Sequence, residues 1–323
     1  MVEKSGEATR PRPRPTAEDV GFDLDRALES IVAIQATIPE DAFTAPILGV
    51  NRAGSGVVIR DSGLVLTIGY LITEAESVWL TSADGRVIPA HALALDPENG
   101  FGLVQALDRL DLPALEIGRS SEIKPGDPVI VAAGGKKQFL HAHIVGTHEF
   151  AGYWEYFLEQ AIFTSPAHPF WGGAALIGAQ GKLIGIGSLH VERVGAEGPQ
   201  DTNMIVPIDL LAPVLDDLVA HGRANKPPRP WLGVYSVESQ GKIVVADVAE
   251  RGPAAVAGMR RGDIISAVRE SSVANLRGFY LKLWSCGAAG VEIPIEIVRD
   301  GRSQWLRVKS ADRASFFKKP RLH

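Results

Sequence analysis

Ala167-His168-Pro169-Phe170-Trp171-Gly172-Gly173-Ala174-Ala175-Leu176 is the stretch on which the reading of this chain turns. It follows one short apolar run, Ala161-Ile162-Phe163-Thr164, and precedes two more at 174–177 and 182–186. A glycine pair between such runs marks backbone that must pass close to another group, since only glycine brings no Cβ to the approach. Outward from it, residues 54–205 form a succession of short apolar runs at 57–59, 64–68, 78–81, 87–95, 103–107, 129–133 and 139–147. Asp61-Ser62-Gly63 and Ala83-Asp84-Gly85 mark tight turns between them. Many short strands without a long helix predict a sandwich or a barrel.

The flanks read differently. Residues 1–22 carry Pro11-Arg12-Pro13-Arg14-Pro15 and predict a disordered, extended tail. Leu24, Ala27, Leu28 and Ile31 recur at helical spacing behind Asp23, a candidate cap, and 30–37 turns β-branched. Residues 208–219 have helical periodicity that stops at His221-Gly222. The run Lys226-Pro227-Pro228-Arg229-Pro230 within 223–230 is a stiff linker. It separates a first domain, 23–222, from a second, 231–311, in which strands at 243–248, 264–268, 293–298 and 304–308 flank helical stretches at 254–258 and 276–285. Residues 312–323, with Phe316-Phe317, are expected to be a frayed tail.

Bulk composition sets limits. With 33 basic and 38 acidic residues the net charge is −5, so the chain as a whole offers no polyanion-binding surface and no nucleic-acid partner is expected. A single cysteine, Cys286, excludes an internal disulfide and any cysteine-rich metal site. Met1 to Thr16 lacks the apolar core of a secretory signal, and no stretch has the length of a membrane span. Cytoplasm is therefore the expected compartment.

The stretch 169–176 resembles the nucleophile loop of trypsin-like serine proteases of the HtrA/Deg type, which reads Gly-Asn-Ser-Gly-Gly-Pro-Leu. Here Trp171 stands in place of the serine. Gly54-Ser55-Gly56 matches the opening of that barrel. Leu66-Thr67-Ile68-Gly69-Tyr70-Leu71-Ile72 is similar to the run carrying the general base, with Tyr70 in place of histidine. Asp96-Pro97-Glu98-Asn99-Gly100-Phe101-Gly102 is similar to the run carrying the orienting aspartate, with Gly100 at its position. In the second domain, Gly252-Pro253-Ala254-Ala255, Ala257-Gly258-Met259 and Gly262-Asp263-Ile264-Ile265 resemble the middle of a PDZ domain, and Trp231-Leu232-Gly233-Val234 its carboxylate-binding loop. The resemblance spans about 24–311. It implies a mainly β chain: a trypsin-like double β-barrel followed by an α+β PDZ domain.

The altered triad positions have chemical consequences. Acyl transfer needs a hydroxyl whose proton a neighbouring base can take, with that base held by a carboxylate. Indole offers one N–H donor and no nucleophile. A phenol, with pKa near 10, is a poor base at neutral pH. Glycine contributes no side chain. The resemblance also places one oxyanion donor at Pro169, which has no N–H. Tyr70 and Trp171 are expected to face each other and plug the cleft, with Gly100 leaving them room; an aromatic floor for a bound peptide is the alternative. Ser165 and His168 lie close in sequence but have no carboxylate to orient the ring. His141, His143 and His148 lack Asp or Cys at ligand spacing, so no metal and no cofactor is expected. The aromatic segment Tyr153, Trp154, Tyr156 and Phe157 fits core packing and a partner patch equally well.

The PDZ resemblance implies capture of an extended peptide as an added strand, with its C-terminal carboxylate on backbone N–H groups. Candidate peptide-binding residues are Trp231, Leu232, Gly233 and Val234, with Phe279, Tyr280 and Leu283 of the facing helix. Those helix residues could equally pack inward. The expectation is a non-catalytic pseudoprotease that binds proteins or peptide C-termini as an adaptor, scaffold or regulator. Assembly into homo- or hetero-oligomers (trimers) with HtrA-type relatives is part of it. A serine endopeptidase and a holding chaperone are the alternatives.

Overall fold

The computed structural model describes residues 20–134, 138–195 and 198–318. Most of the expected N-terminal tail lies outside these residues. Among the described residues, twelve strands close two six-stranded antiparallel barrels. The first contains β1 (Ile31–Thr37), β2 (Asn51–Arg60), β3 (Leu64–Ile68), β4 (Ser77–Thr81), β5 (Val87–Asp96) and β6 (Phe101–Ala106) in the order β1-β2-β3-β6-β5-β4. The second contains β7 (Pro128–Ala132), β8 (Phe139–Gly152), β9 (Tyr156–Ser165), β10 (Ala175–Ile177), β11 (Leu183–Gly195) and β12 (Gly198–Pro207) in the order β10-β11-β12-β9-β8-β7. Closure removes open strand edges, which is how such short strands become stable together.

The barrels meet where the glycines are. The N–H of Ser55 donates to the carbonyl of Gly172 at 2.8 Å. A Cβ on Gly173, whose φ is +74°, would lie 1.9 Å from the Ser55 carbonyl oxygen, and one on Gly54 would lie 2.6 Å from that of Gly172. The Gly-Ser-Gly and Gly-Gly motifs are therefore required by the seam itself.

Asp23 caps the Leu24–Glu29 helix, its Oδ1 accepting from the Arg26 N–H at 3.0 Å. The helical pattern at 208–219 resolves into a 3₁₀ turn, Ile208–Leu210, and a helix, Leu215–His221. Pro213 between them cannot continue an i→i−4 ladder. Gly222, at φ +72°, ends the helix in the left-handed conformation. The linker is pinned to the first barrel, since Lys226 Nζ and Arg229 Nε both reach Glu98 Oε2, at 2.8 and 2.9 Å.

Beyond it, β13 (Val234–Ser239), β14 (Lys242–Val248), β15 (Ile264–Val268), β17 (Glu292–Arg299) and β18 (Arg302–Lys309) form one sheet, with β16 (Ser271–Ser272) paired to β15. The Leu276–Trp284 helix, capped by Asn275, buries Leu276, Phe279, Tyr280 and Leu283. The expected frayed tail needs correction over 312–318, its remainder lying outside the described residues. Residues Arg313–Phe316 form a 3₁₀ helix, and Phe316 packs on Phe43 and Trp231 with ring centroids 5.6 and 5.0 Å away. Aromatic burial outweighs the fraying entropy of this short segment. No helix among the described residues is long and apolar enough to cross a membrane.

Candidate functional site

Tyr70 sits in the 3₁₀ turn Gly69–Leu71 after β3. Gly100 sits in the turn between β5 and β6, and Trp171 in the loop before β10. The fold brings Tyr70 and Trp171 together, but not ring to ring as expected. The Tyr70 hydroxyl donates to the Ser188 carbonyl at 2.9 Å. Burial pushes this phenol well above its ordinary value, so it stays protonated and cannot serve as a base. The Trp171 indole lies instead against His190, with ring centroids 5.5 Å apart. Trp171 is half-buried, and an open depression lined by Ser165, Pro169, Trp171, His190 and Asp201 lies beside it. The aromatic pair leaves this depression open.

The room expected at Gly100 is taken by another residue. The Tyr156 hydroxyl, which donates to the Asn99 carbonyl at 2.7 Å, lies 2.9 Å from where a Gly100 Cβ would stand. With φ at +92°, the position is also strained for any residue with a side chain. Asp96 nearby is buried with its carboxyl pushed up by desolvation, and it accepts from the Glu98 and Asn99 N–H groups and the Asn99 amide. It shapes this turn.

Ser165 and His168 do not pair. Ser165 Oγ accepts from Gln200 Nε2 at 2.8 Å. His168 Nδ1 accepts from the Phe170 N–H at 3.0 Å, and its Nε2 lies 3.2 Å from the Gln138 carbonyl. Burial lowers the pKa of this imidazole, which favours the neutral ring that such a pairing needs. Among the described residues no group of three or more His, Cys, Asp or Glu is placed to hold a metal ion.

The second site lies between β13 and the Leu276–Trp284 helix, and the sequence does not reveal what fills it. The Glu155 carboxylate accepts from three consecutive amides: Leu232 at 3.0 Å, Gly233 at 2.7 Å and Val234 at 2.9 Å. The Ser236 N–H donates to the Tyr153 carbonyl at 2.8 Å. The Tyr280 hydroxyl donates to the Gly152 carbonyl at 2.7 Å and accepts from the Glu155 N–H at 3.3 Å. Phe157 shares the buried cluster of Leu232, Val234, Phe279 and Leu283. The aromatic segment is thus neither barrel core alone nor a free patch, because its tip lies in the groove. Burial pushes Glu155 up to about 7, against the pull of the three amides and of Arg313. Trp231 needs correction as a groove residue. Its ring packs on Phe43 and Phe316 and supports the loop from behind, 3.0 Å from a Gly233 Cβ position.

Comparison with known proteins matches residues 54–186 to a trypsin-like peptidase domain and residues 230–309 to a PDZ domain. The chain is 28% identical over 264 residues to a probable periplasmic serine endoprotease, DegP-like, of Pseudomonas fluorescens, covering 77% of this chain and 54% of that protein. It is 25% identical over 276 residues to a probable periplasmic serine protease, do/HhoA-like, of Haemophilus influenzae, covering 79% and 57%. The chain therefore spans about half the length of the curated relatives it matches. Among solved structures, the HtrA-type protease AlgW with tripeptide superposes with TM-score 0.52 at 24% identity, covering 92% of this chain and 97% of that one. The serine endoprotease from Yersinia pestis does so with TM-score 0.52 at 22% identity, covering 93% and 99%. The expectation of a cytoplasmic chain is overturned, because these relatives are named as periplasmic proteins.

Proposed function

We propose that this chain, which carries a trypsin-like domain of the HtrA/DegP type and a C-terminal PDZ domain, acts by holding other polypeptides and not by cutting them. The observation that carries this reading is the state of the three triad positions. Trp171 has no nucleophile, the Tyr70 hydroxyl is committed to Ser188, and the Gly100 position is walled off by Tyr156. Pro169 adds the absence of one amide donor from the place where an oxyanion would be held. What such a site retains is shape: two barrels, and a PDZ groove whose amides can receive a carboxylate. The ligand class is peptide C-termini or extended protein segments, and the role is that of an adaptor, scaffold or regulator. Assembly into a trimer with HtrA-type copies, and a periplasmic setting like that of the relatives, belong to the same proposal.

The relatives' names favour a second reading, a serine endopeptidase. A fluorophosphonate probe separates the two. The expected result is no covalent labelling of the purified chain and no cleavage of unfolded casein. Stoichiometric labelling at any serine removes the first reading. Suppression of client aggregation without labelling would move the role to a holding chaperone.

A further inference from the structure

We propose that residues 152–157, at the tip of the β8–β9 hairpin, are a built-in ligand that holds the PDZ groove shut, so that an incoming chain terminus binds only by displacing Glu155. This rests on the peptide-binding reading above and specifies how that site is regulated.

The tip reproduces each element of peptide capture from within the chain. A carboxylate sits on the three consecutive amides 232–234. One rung of added-strand pairing joins Tyr153 to Ser236 of β13. An apolar side chain, Phe157, is buried among the residues facing the groove. From the opposite wall, the Tyr280 hydroxyl holds the tip at Gly152 and Glu155. Outside, Arg277 of the helix pairs with Glu149 of β8 at 2.9 Å.

The occupant is well placed but imperfect, which makes it displaceable. Glu155 has φ +59°, a left-handed conformation that a side chain rarely adopts, and this is what turns its carboxylate inward. The carboxylate is also buried, and the attraction of Arg313 does not offset the cost of that burial. A true chain terminus delivers its α-carboxylate to the same amides without the left-handed turn. The advantage of the internal segment is its tether, which gives it a high effective concentration. A groove that is free for only a small fraction of the time weakens external binding by that fraction.

The test uses the full chain, Glu155→Ala, and Glu155→Gln as a variant that keeps the side-chain volume. The probe is a synthetic copy of residues 150–157 with glutamine replacing its glutamate, so that its only carboxylate is the C-terminus; an amidated copy is the control. Glu155→Ala is expected to speed hydrogen exchange at the 232–234 amides at least ten-fold, and to bind the free-acid peptide at least ten-fold more tightly than the unaltered chain. Glu155→Gln should fall between, and the amidated peptide should gain nothing. Unchanged exchange, with equal peptide affinity in all three proteins, overturns the latch. Faster exchange with no capture of the free-acid peptide leaves the latch standing and overturns the peptide-binding reading instead.

Discussion

The nucleophile loop and the PDZ carboxylate loop are both places where backbone amides receive an anion, and they have met opposite fates. At the first, Pro169 removes a donor, and the Phe170 N–H is turned to His168. At the second, the amides of 232–234 are all present and all engaged by Glu155. A donor removed by covalent structure cannot be restored by any motion of the chain. A donor satisfied by a side chain can be released again. On the proposed reading, the contrast separates a site that has given up its chemistry from one held in reserve.

The largest effect tests whether the first loss is as deep as the geometry makes it. Combining Tyr70→His, Gly100→Asp and Trp171→Ser is expected to yield no peptidase activity above blank on a fluorogenic casein substrate. Adding Pro169→Gly should raise any residual turnover by about 10²–10³, the usual worth of one oxyanion donor. Casein cleavage by the triple substitution above blank and as fast as that by the quadruple one would remove Pro169 from the account. Next comes Gly173→Ala, whose Cβ would lie 1.9 Å from the Ser55 oxygen at φ +74°. Chemical denaturation should show a loss of about 3 kcal/mol or more, since backbone on both sides must shift. A neutral result would mean that the seam does not explain the glycine.

For the second site, pH provides the handle. Docking raises Glu155 from 4.5 to about 7, so the docked form holds its proton more tightly than the released form. At pH below 4.5 both forms are protonated and docking carries no penalty. The penalty grows as pH climbs through that window and is complete above pH 7, on the order of 3 kcal/mol. Arg313, Tyr235, Tyr280, Glu238, Tyr153 and Asp247 are among the charged or titratable groups about this end of the groove. Burial lowers Arg313, but a guanidinium starts far above this window, and burial raises the Tyr235 and Tyr280 phenols away from it. Exchange protection at 232–234 is therefore expected to fall from pH 5 to pH 8, and Glu155→Gln should flatten that slope. A smaller change, about 1–2 kcal/mol of docking, is expected for Tyr280→Phe, which removes the hydroxyl bridging Gly152 and Glu155. Smallest is Glu149→Gln. Its pair with Arg277 is about half exposed on both sides, so its loss should change protection by less than about 0.5 kcal/mol.

Much of this was legible in the chain, for reasons that can be traced. Strand period and turn residues are local, so the two-rhythm layout and the break at Lys226-Pro227-Pro228-Arg229-Pro230 could be read directly. The helical spacing at 208–219 does not display its own break, which Pro213 imposes by having no N–H to give to the ladder. Phe316 and Phe317 looked like a loose end because their partners, Phe43 and Trp231, are far away in sequence. Tyr156 and Glu155 were visible only as members of an aromatic-rich loop. A glutamate amid Tyr153, Trp154, Tyr156 and Phe157 is an odd companion, and that was the one signal that this loop needed an acceptor in an apolar setting.

The amino-acid order by itself determined which groups Trp171, Gly100 and Pro169 bring, because indole, glycine and proline lack a nucleophile, a carboxylate and an amide proton wherever the chain folds. It also determined the need for glycine at the barrel seam. The tertiary structure decided what occupies the places left open. Tyr156 reaches Asn99 across 57 residues, and Glu155 reaches Leu232 across 77. Contacts at such separations have no local pattern; they exist only once two barrels and a sheet have closed around the same volume.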